Sequence, residues 1–197
     1  METIVLASGS PRREEYLRLL GLPFYCIPAQ IDEVFDEAAE PKTVAAELAA
    51  RKVSKIVEIL KAESPLWVCG ADTIISLDRK IFGKPGDRLD AGQMLMAFQG
   101  RDHKVVTSIA LYNGRTKTID SRTVESTVSF ATMTEGEIEW YLDSGEWRDA
   151  AGAYKIQGLA SCFIGAISGS YSSIMGLPLK EFYDILRCNG YPYPYGA

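Results

Sequence analysis

The sequence predicts an α/β fold, a single mixed-sheet domain with two lobes around a cleft. Three observations carry the prediction. Apolar runs of strand length alternate with segments of helical periodicity along the chain, nothing resembles an interdomain linker, and there is no internal repeat or low-complexity tract. At 197 residues, with 47% hydrophobic and 24% charged side chains, the chain has the length of one domain and the balance needed to bury a core. The domain is placed at residues 1–190, with 191–197 as an extended tail.

The elements follow in order. Thr3-Ile4-Val5-Leu6-Ala7 is a short apolar strand that turns through Ser8-Gly9-Ser10 into a helix. Ser10 has an N-cap side chain, Pro11 the fixed φ of a first helical residue, and Tyr16, Leu17 and Leu20 form a stripe that Gly21 ends. Pro23 to Ala29 reads as a second strand, leading to Ile31-Asp32-Glu33 and an acidic loop through Pro41. Thr43 is the expected cap of a long helix with Val44, Leu48, Val53, Ile56 and Leu60 on one side; Lys52 lies near that buried edge. Leu66 to Leu77 reads as an apolar strand interrupted at Gly70-Ala71-Asp72-Thr73, and the Gly83-Lys84-Pro85 turn follows a short second strand.

Asp87 or Asp90 begins a helix carrying Ala91, Met94, Leu95 and Phe98, which Gly100 ends. A strand from Lys104 to Tyr112 reaches Asn113-Gly114, a strong hairpin signal, and the Thr/Val/Ser-rich stretch from Thr116 to Met133 returns. Thr134 and Glu137 make a capping box for a helix with Ile138, Tyr141 and Leu142, closed by Gly145. Two glycine-spaced segments, Gly152 to Gly158 and Gly169 to Gly176, precede a last helix with Leu179, Phe182, Tyr183 and Leu186 on one face.

Composition excludes several classes. No run approaches the roughly 18 apolar residues of a membrane span, and the first residues lack the pattern of a secretory signal, so a cytoplasmic location is expected. Cys26, Cys69, Cys162 and Cys188 form no C-x-x-C pair and read as reduced, mostly buried thiols rather than a zinc site or disulfide framework. A net charge of −5 argues against broad nucleic-acid binding but leaves room for a small cationic pocket. A single histidine, His103, rules out multi-histidine metal sites.

The chemistry concentrates at a few positions. Arg12 and Arg13 sit at a helix N-terminus, where the dipole disfavours cations; a bound anion removes the conflict, and simple solvation or pairing with Glu14, Glu15 or Asp32 is the alternative. Ser8-Gly9-Ser10 can cradle phosphate through backbone N–H groups. Asp72, among Val68, Ala71, Ile74 and Ile75, is a carboxylate that is costly unless paired or solvated by a cleft. Burial raises its affinity for protons while Lys52 and Lys84 keep it ionised, which suits a general base; the alternative is an Asp capping its own turn at Thr73. Glu33 reads as a metal ligand, a partner of the arginines, or a solvated acid. Gln157 has an amide able to read a base edge or to brace its loop. The P-loop and Gly-x-Gly-x-x-Gly patterns are absent.

Ser8-Gly9-Ser10-Pro11-Arg12-Arg13, Gly70-Ala71-Asp72-Thr73, Gly83-Lys84-Pro85, Gly152 to Gly158 and Gly169-Ser170-Tyr171 with Gly176-Leu177-Pro178-Leu179 together closely resemble the Maf family of nucleoside triphosphate pyrophosphatases, from residue 3 to about 187. The resemblance implies a fold similar to inosine triphosphate pyrophosphatases and cleavage between the α and β phosphates, giving a monophosphate and pyrophosphate. It implies Asp72 as proton acceptor, Ser8, Arg13, Lys52 and Lys84 on the phosphates, and Arg12, Thr73 and Gln157 as specificity residues of the dTTP/UTP group. Glu33 would help place Mg²⁺ or Mn²⁺, and the family suggests a homodimer. Its link to septum formation implies, as the alternative, a nucleotide-binding regulator of cell division with little turnover. Two departures stand out: Asp78-Arg79-Lys80 where many relatives have Asp-Gly, and Val53 where Ala is commoner.

Overall fold

The computed structural model describes residues 1–35, 39–61 and 66–193. Its frame is a mixed sheet of seven strands. β1 (Ile4–Leu6) lies between β2 (Phe24–Cys26) and β3 (Trp67–Leu77) and is parallel to both. The antiparallel half adds β4 (Lys80–Phe82), β5 (Asp102–Asn113), β6 (Thr118–Phe130) and β7 (Ile164–Ser168), in the order β2-β1-β3-β5-β6-β7 with β4 folded back onto β3. Six α-helices accompany it among the described residues: α1 (Pro11–Leu19), α2 (Pro41–Leu60), α3 (Arg88–Phe98), α4 (Glu135–Asp143), α5 (Tyr171–Ile174) and α6 (Leu179–Cys188). The expected mixed α/β class is what the chain adopts.

Strand alternation decides which helices cover which face. Ile4, Leu6, Trp67 and Cys69 pack with Leu17 of α1 and with Phe182, Ile185 and Leu186 of α6. Val5 and Val68, one residue out of phase, pack with Ala49, Val53 and Ile56 of α2. A third cluster joins Phe98 of α3 and Tyr141 of α4 to Val105, Val128 and Phe130. With both faces of β3 covered, its residues read as a near-continuous apolar run.

Several boundaries differ from the sequence reading. β3 runs unbroken through Gly70-Ala71-Asp72-Thr73, so Asp72 caps no turn there. Gly70 is needed because α2 presses on it: a Cβ would stand 2.9 Å from Val53 Cγ2. α2 begins at Pro41 with Glu40 at the N-cap position, three residues before the expected cap Thr43, because Pro41 already supplies the helical φ of a first position. Ser10 occupies the N-cap of α1, but its hydroxyl makes no capping bond. Instead its N–H donates to Ser8 Oγ at 3.2 Å.

The Asn113-Gly114 turn is wider than the two-residue hairpin such a pair favours. Four residues link β5 to β6, with Arg115 N–H donating to Asn113 Oδ1 at 3.0 Å and Lys117 N–H to Asn113 O at 2.8 Å. The two-residue turn falls instead at Asp78 and Arg79, both left-handed at φ 51° and 67°, where β3 passes into β4. Two of the four cysteines are exposed, Cys162 and Cys188, because Ala160 and Phe163, and Ile185 and Leu186, take the inward positions of their segments. Packing continues past residue 190: Tyr191 is buried, stands edge-on to Trp67 at 5.3 Å and donates to Glu2 O. The end of the expected tail, 194–197, lies outside the described residues, as do 36–38 of the acidic loop. No described helix is long and apolar enough to cross a membrane.

Candidate active site

The sheet itself opens the site. β1 pairs with β3 only as far as Leu6 opposite Cys69, and β4 pairs with β3 only from Ile75. Between those points the edge of β3 from Gly70 to Ile74 has no strand beside it on that side among the described residues, while β5 continues on the other. A cavity of about 880 Å³ occupies this gap. Since Asp72 and Thr73 point to opposite faces of the strand, both line it.

Asp72 faces α2. Its carboxylate is buried and accepts from Lys52 Nζ at 2.5 Å, and the same ammonium lies 2.7 Å from Glu33 Oε1. Lys52 is thus clamped between two carboxylates rather than standing free for phosphate. Burial alone would push Glu33 up, but the hydrogen bond and charge of Lys52, with Lys84 and Arg13 behind it, outweigh burial and hold its carboxyl below the usual range.

Thr73 faces the other way, toward α1. There Arg13 donates from Nε to Gly176 O at 2.8 Å, from one terminal nitrogen to Ser8 Oγ at 3.1 Å and from the other to Thr73 Oγ1 at 3.3 Å. Arg13 is a strut tying three segments together, with two N–H groups left over. Arg12 donates to Met175 O at 3.4 Å. Neither arginine has a carboxylate partner among the described residues, so the expected alternative of pairing with Glu14, Glu15 or Asp32 is not what the fold does. Burial lowers the pKa of both; Asp72 opposes this for Arg13 and Asp149 for Arg12.

The remaining residues form the outer wall. Lys84 stands at the rim, 62% exposed and 4.0 Å from Asp149. Gly152 N–H donates to Gly83 O at 2.8 Å, holding the segment that carries Gln157 against the Lys84 turn. Gln157 is exposed and lines the cavity. Nine residues singled out from sequence, Ser8, Arg12, Arg13, Glu33, Lys52, Asp72, Thr73, Lys84 and Gln157, border this one space. Ser170 does not; it is the N-cap of α5, accepting from Ser173 N–H at 3.2 Å.

A profile of Maf-like proteins matches residues 3–189. The chain belongs to this family. It is 40% identical to the dTTP/UTP pyrophosphatase of Symbiobacterium thermophilum, over 98% of this chain and 96% of that protein. It is 41% identical to the dTTP/UTP pyrophosphatase of Desulforamulus reducens, over 96% and 98%. The solved structure of the Staphylococcus aureus Ham1 protein aligns at 14% identity over 66% of this chain and 71% of its own, with a TM-score of 0.39, a distance at which nothing about site or function follows.

Sequence reasoning missed four residues of this Maf-like site: Arg148, Asp149, Lys155 and Thr107. The first three line the cavity. Lys155 sits two places before Gln157, between the buried Tyr154 and Ile156, an alternation that turns it outward from the core and was legible in the pattern. Thr107 is reached only through the pairing of β3 with β5, which no local motif announces. In all, six cationic and three acidic side chains border the cavity of a chain with net charge −5.

The donor set suits a hard cation in part. Glu33 and Asp72 converge on one ammonium, so their oxygens face a common point. No group of three His, Cys, Asp or Glu able to hold a metal exists among the described residues. A divalent ion here would therefore take its other ligands from water and from ligand oxygens, as Mg²⁺ usually does.

Proposed function

We propose that the chain hydrolyses dTTP and UTP to the nucleoside monophosphate and pyrophosphate. The observation that carries this reading is the buried Asp72 carboxylate on the open edge of β3, facing a cavity whose other ionisable walls are mostly cationic. A triphosphate fits such walls, and the relatives named dTTP/UTP pyrophosphatase, about 40% identical over nearly the whole chain, support the choice of thymine and uracil nucleotides and the release of pyrophosphate.

In this reading Asp72 accepts a proton from water as a new P–O bond forms and the bridging P–O bond between the α and β phosphorus atoms breaks, the pyrophosphate leaving with the bridging oxygen. Lys52 holds the Asp72 carboxylate in place. Arg12 and Arg13, with Lys84 at the rim, neutralise charge that builds on the departing pyrophosphate. Glu33 and Asp72 would hold Mg²⁺ or Mn²⁺, which supplies further neutralisation of the phosphate oxygens when it arrives with the substrate. Thr73 and Gln157 face the base.

The test is incubation with Mg²⁺ or Mn²⁺ and dTTP, UTP, CTP and GTP, with chromatographic identification of each product. Monophosphate plus pyrophosphate from dTTP and UTP is expected; release of single phosphates from the terminal position would overturn the reading. Asp72→Asn, its fold checked by circular dichroism, is expected to lower turnover about 10³-fold. Wild-type turnover in that variant removes Asp72 as the base.

A further inference from the structure

Thr73 and Thr107 are direct partners in the β3–β5 pairing, so their side chains share a face and their hydroxyl oxygens lie 3.0 Å apart. Thr73 lines the cavity; Thr107 is fully buried behind it and does not. The Thr107 hydroxyl is 2.7 Å from the carbonyl oxygen of Ser173, which also accepts from Gly176 N–H at 2.8 Å. A carbonyl oxygen can only accept, and a hydroxyl has a single proton to give. Thr107 therefore commits its proton to Ser173 and offers Thr73 only lone pairs.

On its other side Thr73 Oγ1 meets Arg13 at 3.3 Å, a guanidinium that can only donate. One arrangement puts a proton into both short oxygen–oxygen contacts of Thr107: Thr107 gives its own to Ser173 O, and Thr73 gives its proton to Thr107, receives Arg13 on one lone pair, and has one lone pair left. The polarity of a hydroxyl on the cavity wall is thus fixed by a residue that never touches the cavity.

We propose that Thr107 is a positioning residue for base selection, holding the Thr73 proton away from the ligand so that Thr73 acts toward the cavity as an acceptor only. The inference rests on the reading of this site as one for dTTP and UTP. Uracil and thymine carry a hydrogen on ring N3, whereas cytosine has a bare lone pair there. Against an acceptor-only hydroxyl the first pair forms a hydrogen bond and the second sets lone pair against lone pair. Where the base displaces water from Thr73 such a mismatch discriminates strongly, because the lost bond is not replaced.

The experiment compares kcat/KM for UTP and CTP in the wild type, Thr107→Val and Thr107→Ser, with melting temperatures measured alongside. Valine matches threonine in shape but accepts no proton, so Thr73 becomes free to rotate and donate to cytosine. The UTP/CTP ratio is expected to fall about tenfold in Thr107→Val, the worth of one net hydrogen bond, chiefly through a lower KM for CTP. Thr107→Ser, which keeps the hydroxyl, is expected to restore the ratio. Thr107→Ala gives the same answer with less bulk should valine disturb the sheet. An equal loss of kcat/KM for both nucleotides, with the ratio unmoved, would mean that Thr107 only supports the fold and would overturn the inference while leaving the function standing. A wild type that turns over neither nucleotide overturns the function reading and this inference with it.

Discussion

The imidazole of His103 lies between aromatic rings, with Phe98 at 4.5 Å and Phe130 at 5.4 Å between centroids, and its Nε2 is 2.8 Å from the Tyr154 hydroxyl. Its Nδ1 is buried with no hydrogen-bond partner. Burial pushes its pKa down to about 4, with Asp102 opposing weakly, so the ring is neutral in the folded protein at neutral pH. In the unfolded chain the ring titrates at its ordinary value of 6.5. Between those values the unfolded state binds the extra proton, so stability is lost as pH falls from 6.5 toward 4. From pH 7 to pH 5 this one group is expected to cost about 2 kcal/mol of unfolding free energy. Urea unfolding at the two pH values measures it, and His103→Gln should flatten the difference; an equal slope in the variant places the acid sensitivity elsewhere. Tyr154 opens the segment that leads to Lys155 and Gln157, so this buried pair also anchors one wall of the site.

At the scale of elements, the contact that matters most is α2 against β3, because it brings Lys52 to Asp72. Gly70 and Val53 set that distance: a methyl at Gly70 meets Val53 Cγ2 at 2.9 Å and Ala49 O at 3.4 Å, neither of which is the loose end of a long side chain. Gly70→Ala is therefore expected to cost about 1–3 kcal/mol through overpacking and to lower kcat by drawing Lys52 away from Asp72, the proposed base. Val53→Ala removes the obstructing methyl groups, so the double variant should recover most of the lost activity, a coupling read directly from the double-mutant cycle. Additive effects would show that the helix does not shift. Local chemistry announced some elements fully: the Thr134–Glu137 capping box forms in both directions, and Gly21 ends α1 with Leu22 N–H on Leu17 O and Gly21 N–H on Arg18 O. It misled where tertiary packing decided, as at Gly70, whose glycine marks a close helix approach rather than a break, and at Thr43, where the earlier Pro41 starts the helix.

At the scale of the molecule, residue chemistry and motifs pointed to nine of the residues that border the cavity, but their convergence came from topology. Segments spread from Ser8 to Gly176 meet because β1 stops at Leu6 while β3 runs on to Leu77, and no run of residues encodes that gap. The same arrangement puts a cationic pocket into an acidic protein. Net charge −5 repels a nucleoside triphosphate at long range, while the six cations bordering the cavity attract it once it is within the screening distance. That distance is about 10 Å at 0.1 M salt and about 3 Å at 1 M, so added salt weakens the attraction first where the cations are solvated, at Lys84 and along the outer wall. Lys155 has no acid partner among the described residues, and its half-buried charge borders the cavity on that wall. Raising salt from 0.1 M to 1 M should therefore lower kcat/KM for UTP about tenfold, mainly through KM. Lys155→Met should make the fall shallower, since one of the screened charges is already gone. A salt slope identical in the two proteins would mean that capture is governed by the clamped charges nearest Asp72, where water and salt have little access.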